Sequence, residues 1–246
     1  MFILHTDLDD TLIYSKRKEI SVPKTCVEYY NGEPLSYMLN TSIEKLSRVL
    51  NIQDILVVPT TARSKEQFQR VNLPDFEYAI VSNGGILLKD GKVDKDWYDY
   101  SLSLAEKCND LFKEFLEVLK HDSNICGNIT FNENLFLRTR SIKPGETIEL
   151  LKSHAGDTDY VSIYNLGNKV YVFPKDINKN SAILRFKELF KADFTVLADD
   201  SSHNYSGCVD LFLTTDKQTL HHEFSNISIV DDYLSENMLD FVLERC

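Results

Sequence analysis

The 246-residue sequence predicts an α/β protein, an open parallel sheet interrupted by an inserted α+β domain. Three observations predict it. Apolar runs at 1–4, 52–59 and 194–198 each break off into acids or hydroxyls, as buried parallel strands do when they deliver polar side chains to their carboxyl ends. Segments with apolar residues at helical spacing lie between these runs. From about residue 89 the order changes to helix, strand, strand, helix, strand, strand, which sets a second domain, 89–174, between two parts of the first, 1–88 and 175–246.

Composition narrows the class. With 43% hydrophobic and 11% aromatic residues the chain has ample material for buried cores. Its net charge of −11 opposes attraction to phosphate backbones or anionic lipid, so the expected partner is a small molecule, with no nucleic acid and no membrane. No basic leader precedes an apolar segment and no run is long enough to span a bilayer, so a cytoplasmic location is expected. Cys26, Cys108, Cys126, Cys208 and Cys246 are odd in number and dispersed, which predicts reduced thiols and neither a zinc site nor a disulfide framework.

The opening strand ends in Asp7, Asp9, Asp10 and Thr11. Two carboxylates converging on one volume need a cation or a proton between them, which suits a hard divalent ion or an acid kept for catalysis. The same spacing opens a calcium loop, but that loop needs glycine at its sixth position, where Leu12 stands. Residues 16–40, with Lys16-Arg17-Lys18, Pro23 and Asn31-Gly32-Glu33-Pro34, lack a clean period and are expected to form an irregular excursion. A helix is expected over 39–51, capped by Thr41 or Ser42, with Ile43, Leu46, Val49 and Leu50 inward. The strand at 52–59 then runs into Thr60-Thr61-Ala62-Arg63-Ser64 and a short helix, a place where hydroxyl and backbone N–H donors suit an anion.

Residues 76–88 read as strand, glycine turn (Ser82-Asn83-Gly84-Gly85) and strand. In the inserted domain a single helix is expected over 102–119, strands over 126–131 and 135–142, a helix over 144–153, and strands over 160–165 and 169–173. Arg138 and Arg140 share one strand face, suited to an anion or to solvent alike. Lys179 opens the helix after the insertion, where an ammonium can serve a phosphate. The run 194–198 ends in Asp199-Asp200, residues 209–213 are expected to be the last sheet strand, and a closing helix is expected over 231–245.

Taken together these segments resemble the haloacid dehalogenase superfamily of phosphohydrolases, in its Cof-like and sucrose-phosphatase-like branch, which has a Rossmann-like core and a small α+β cap. The Asp-x-Asp-x-Thr of Asp7, Asp9 and Thr11 is similar to its first motif. Thr61-Ala62-Arg63 resembles the second, with alanine in the usual glycine place; Lys179 resembles the third and Asp199 the fourth. The resemblance implies Asp7 as the nucleophile that becomes an aspartyl-phosphate and Asp9 as general acid/base. It implies Thr61 and Lys179 on the phosphoryl group, Arg63, Asn83 and Gly84 toward substrate, and Mg²⁺ held by a carboxylate oxygen of Asp7, the Asp9 carbonyl and Asp199. The fourth motif departs from the family at Ala198, Ser202 and His203, which leaves open whether Asp200 or His203 supports the metal. The implied activity is hydrolysis of a small phosphate monoester, a phosphosugar or polyol phosphate, with the cap closing over it. A phosphomutase, or a non-catalytic binding protein on the same fold, remains an alternative.

Overall fold

The computed structural model describes the chain except residues 156–159, 201–204, 206, 216–226, 231–232 and 246, and the side chains of 155 and 227–229. Its residues group into two compact units, Met1–Asp94 with Lys179–Cys246, and Lys95–Asn178.

The first unit is built on a five-stranded parallel sheet. β1 (Phe2–Thr6) is flanked by β5 (Ile55–Pro59) on one side and β13 (Phe194–Ala198) on the other, with β14 (Leu211–Thr214) and β15 (Ile227–Ile229) beyond β13. Both faces are covered, so its strands read as nearly unbroken apolar runs. Leu4, Val57, Val196 and Leu213 belong to the cluster that includes Leu46 and Val49 of α1 (Asn40–Val49) and Met238, Leu239 and Val242 of α7 (Leu234–Leu243). On the opposite face Leu197 and Phe212 pack with Ile183 of α6 (Lys179–Phe190), and His5 meets the edge of Phe186. Burying side chains of this size stabilises by ~1.5–3 kcal/mol each.

Four local expectations are corrected. Thr41 and Ser42 lie inside α1 and do not cap it; Leu39 is the N-cap residue and makes no side-chain cap bond. Their hydroxyls bond α7 instead, Thr41 to Glu236 and Ser42 to Ser235 at 2.9 Å. The excursion at 16–40 is ordered sheet: β3 (Lys24–Tyr30) and β4 (Glu33–Leu39) form an antiparallel hairpin, and β2 (Tyr14–Ser15) pairs with β4. Asn31 (φ 52°) and Gly32 (φ 81°) make its two-residue turn in the left-handed backbone such hairpins require. Finally, β15 extends the sheet beyond the strand expected to be its last.

A second hairpin, β6 (Tyr78–Val81) with β7 (Ile86–Lys89), adds β8 (Lys92–Val93), whose pairing with β7 keeps residues up to Asp94 in the first unit. Between β5 and β6 lies α2 (Lys65–Gln69), started by a capping box in which Ser64 and Gln67 satisfy each other's backbone N–H groups.

The second unit has a four-stranded antiparallel sheet, ordered β11 (Val161–Leu166), β12 (Lys169–Pro174), β10 (Phe136–Arg140) and β9 (Thr130–Asn132). The fourth correction falls here. The single helix expected over 102–119 is two, α3 (Lys95–Glu106) and α4 (Asn109–His121), followed later by α5 (Pro144–Ala155). Arg138 lies opposite Tyr171 and Arg140 opposite Lys169. Cys26, Cys108, Cys126 and Cys208 are unbridged. Among the described residues no helix is long and apolar enough to cross a membrane.

Candidate active site

Sheet register assembles the site. Thr6 at the end of β1 lies opposite Ala198 on one side and Pro59 on the other, so the next residues, Asp7, Asp199 and Thr60, emerge together at the carboxyl edge. Backbone bonds fix the exits: Asp7 N–H donates to Ala198 O at 2.9 Å, Asp199 N–H to Leu213 O at 3.1 Å and Thr60 N–H to Thr6 O at 2.8 Å. That edge is where open α/β sheets hold ligands.

Lys179, the first residue of α6, brings its ammonium between two of these acids. Nζ is 3.1 Å from Asp7 Oδ1 and 2.7 Å from Asp199 Oδ2. Tyr205 donates its hydroxyl to the same Asp199 oxygen at 2.6 Å. Burial alone would lower the Lys179 ammonium, but the Asp199 and Asp7 charges outweigh it and hold it well above the ordinary lysine value. Burial raises the Asp7 carboxyl to about 7, against the pull of Lys179. Asp200 is raised to about 6, first by burial and then by the Asp199 and Asp10 charges. Its backbone N–H donates to Thr11 Oγ1 at 3.1 Å, tying the fourth segment to the first.

One oxygen each of Asp7, Asp199 and Asp200 lies within 4.8 Å of the others. Three carboxylate oxygens are hard donors, which fit a divalent cation of the Mg²⁺ or Ca²⁺ kind rather than a soft metal. Asp200 therefore stands with Asp7 and Asp199 as a possible ligand, while His203 lies outside the described residues.

Asp9 belongs to an adjoining cluster. After β1 the chain makes a tight turn in which Thr11, Leu12 and Ile13 N–H groups all converge on Leu8 O, with Asp10 at φ 55°. Asp9 meets Arg63 in a two-pronged pair, Nε to Oδ2 at 2.8 Å and Nη2 to Oδ1 at 2.7 Å. Arg63 also donates through Nη1 to Glu28 Oε1 at 3.0 Å. The substrate-facing role implied for Arg63 thus meets a guanidinium already engaged by two acids.

Thr61 is buried at the end of β5; its Oγ1 accepts from Arg63 N–H at 3.2 Å and its N–H donates to Ile80 O at 2.9 Å. The 82–84 turn docks on this segment, with Asn83 N–H donating to Thr61 O at 3.0 Å and Ser82 N–H to Arg63 O at 2.7 Å. Ser82 and Asn83 hold left-handed backbone at φ 54° and 57°, a cost of ~1 kcal/mol each that these bonds offset. A backbone bond places Asn83 beside Thr61, and Gly84 follows it in the same turn. Tyr205 and Glu28 were absent from the expected site. Neither is part of a spaced motif, and only a buried partner gives either one meaning.

No protein-family model and no curated protein matches the sequence. Solved structures do match in fold. The sucrose-phosphatase from Synechocystis, in complex with sucrose and phosphate, aligns with a TM-score of 0.63 at 14% identity over 99% of this chain and 97% of its own. A haloacid dehalogenase-like hydrolase from B. subtilis aligns at 0.59 and 13% identity, over 100% of both chains. Trehalose-6-phosphate phosphatase from Aspergillus fumigatus aligns at 0.58 and 10%, covering 99% of this chain and 91% of its own. The chain shares the fold of these phosphatases and hydrolases, a parallel-sheet α/β core with an inserted α+β unit.

Proposed function

We propose that the chain is a metal-dependent phosphatase of the haloacid dehalogenase type, hydrolysing a small phosphate monoester of the phosphosugar class through an aspartyl-phosphate on Asp7. The observation that carries the reading is the Lys179 ammonium held between Asp7 and Asp199 at the carboxyl edge of a parallel sheet. A binding scaffold gains nothing from crowding buried carboxylates there, whereas phosphoryl transfer needs an anionic nucleophile and fixed positive charge beside it. The fold shared with phosphatases that act on sugar phosphates supports the substrate class.

In this reading an oxygen of Asp7 attacks phosphorus while the P–O bond to the alcohol breaks. Asp9, which takes up a proton once an Arg63 bond to it opens, gives that proton to the departing oxygen, and then takes one from the water that attacks the aspartyl-phosphate, releasing inorganic phosphate and restoring Asp7. Lys179 and the Thr61 hydroxyl hold the phosphoryl oxygens. A Mg²⁺ held by Asp7, Asp199 and Asp200, with the Asp9 carbonyl, would neutralise charge on the phosphoryl group. Because Arg63 occupies both Asp9 oxygens, one of those bonds must open for Asp9 to deliver a proton.

The test is phosphate release from a panel of sugar, polyol and aryl phosphates, with Mg²⁺ and with chelator, for the wild type and Asp7→Asn. Turnover should require the metal and fall by at least ~10³-fold in Asp7→Asn with the fold intact, since an amide is a far poorer nucleophile. A variant as active as the wild type would refute the nucleophile, and a wild type inert across the panel would refute the reading.

A further inference from the structure

Strand side chains alternate between faces, yet Val27 and Glu28 of β3 are both buried. The register explains it. Cys26 lies opposite Tyr37 but Glu28 opposite Ser36, so between these pairs β3 uses one residue more than β4 and bulges, and the register is restored directly after, where Tyr29 lies opposite Pro34. Bulges re-aim a side chain, and this one turns Glu28 inward, with none of its side chain left exposed.

An isolated carboxylate there would cost several kcal/mol, so the partners matter. Ser36 donates to Oε2 at 2.7 Å, Arg70 donates to Oε1 through Nε at 3.0 Å and Nη2 at 2.7 Å, and Arg63 donates to Oε1 at 3.0 Å. Arg70 and Ser36 already anchor the hairpin. The bond to Arg63 does something else, because the opposite edge of that guanidinium carries Asp9. A planar group held on one side has its other side fixed in direction.

We propose that Glu28 is a positioning residue for the acid/base step: through Arg63 it sets where the Asp9 carboxyl sits relative to the departing oxygen. The proposal rests on the phosphatase reading above. It makes the 24–39 hairpin, which lies in the chain between the Asp7–Thr11 segment and α1, a working part of the site.

Glu28→Gln keeps the shape and an acceptor but loses the charge that orients Arg63. With Asp9 misplaced, esters whose leaving oxygen needs a proton suffer most. Measured as kcat/KM with Mg²⁺, Glu28→Gln should lose about tenfold on phenyl phosphate and less than about threefold on p-nitrophenyl phosphate, a modest share of what acid catalysis supplies. Glu28→Asp should recover part of the difference. Arg70→Met, which loosens the hairpin anchor but leaves the Glu28–Arg63 bond, should keep the wild-type ratio between the two esters. Equal losses on both esters, no loss, or the same altered ratio in Arg70→Met would overturn the assignment while leaving an active phosphatase. A wild type inert on both esters and on the sugar and polyol phosphates alike, with or without Mg²⁺, would overturn the phosphatase reading and this assignment together.

Discussion

Arg63 grips both carboxylate oxygens of Asp9, one from Nε at 2.8 Å and one from Nη2 at 2.7 Å. The pair makes Asp9 the best-defined exposed acid of the site, since its position is set by two bonds to a guanidinium that is itself largely buried. If Asp9 is the proton donor, Asp9→Asn should slow esters of basic alcohols by about 10²-fold or more and p-nitrophenyl phosphate far less. Rates on a series of aryl and alkyl phosphates decide it. A uniform loss across the series would remove Asp9 from the acid role.

Metal affinity gives a second prediction. Asp199 Oδ2 accepts from Lys179 and Tyr205, and these two bonds orient the carboxylate that would hold a cation. Tyr205→Phe should therefore raise the Mg²⁺ concentration for half-maximal activity about tenfold or more, as expected for a residue that orients a ligand. Asp199→Ala should raise it far more. Since folding raises Asp7 to about 7 and Asp200 to about 6, a bound divalent ion must displace protons in that range. Apparent affinity should climb from pH 5.5 to about 7 and then level off. Calorimetric titration in buffers of different ionisation enthalpy reads the protons directly, and no release at pH 6 would contradict the site.

His5 gives a third. The Thr60 hydroxyl donates to Val58 O at 3.1 Å, so the 2.8 Å contact to His5 Nδ1 is a bond from the ring N–H, and Nε2 is a buried lone pair with no partner. Burial lowers its pKa from 6.5 to about 3. The unfolded chain thus binds one more proton than the folded chain between those values, and the contribution is full above pH 6.5 and declines as pH falls toward 3. Asp7 and Asp200 act oppositely, because their raised values favour the folded state as pH falls. Comparison with His5→Gln isolates the histidine: between pH 6 and 4 the wild type should lose ~1.4 kcal/mol per pH unit relative to the variant. Parallel denaturation curves for the two proteins at pH 6 and pH 4 would show His5 to be silent.

What the sequence discloses, and what it hides, follows from how local each signal is. Asp7 and Asp199 were legible because each ends an apolar run that can only be a buried strand. Lys179 was legible from its place after the insertion. The 24–39 hairpin was hidden although Asn31-Gly32 is a strong turn signal, because the bulge that buries both Val27 and Glu28 destroys the alternation that marks a strand. The break between α3 and α4 was hidden because apolar spacing runs straight through Leu104, Cys108 and Leu111. β15 was missed because three residues cannot show a period. Tyr205 and Glu28 act through partners far away in the chain, and no local pattern announces that.

The position of β1 between β5 and β13 has a consequence for how the chain is made. A ribosome delivers β5 soon after β1, but β13 only after the whole of Lys95–Asn178 has emerged. Until then β1 has one open edge, and Asp7, Asp9 and Asp10 wait at its end without the Lys179 ammonium, so the nascent chain holds both an exposed strand edge and uncompensated charge. The long return also makes the β1–β13 pairing slow, because its loop-closure entropy must be met before any contact rewards it. Pulsed hydrogen exchange during refolding can time the two sides of β1 separately. The Thr60 amide, bonded to Thr6 O, reports the β5 side, and the Asp7 amide, bonded to Ala198 O, reports the β13 side. Thr60 should be protected first, and protection of Asp7 ahead of it would mean that the distant half of the chain docks before the near one.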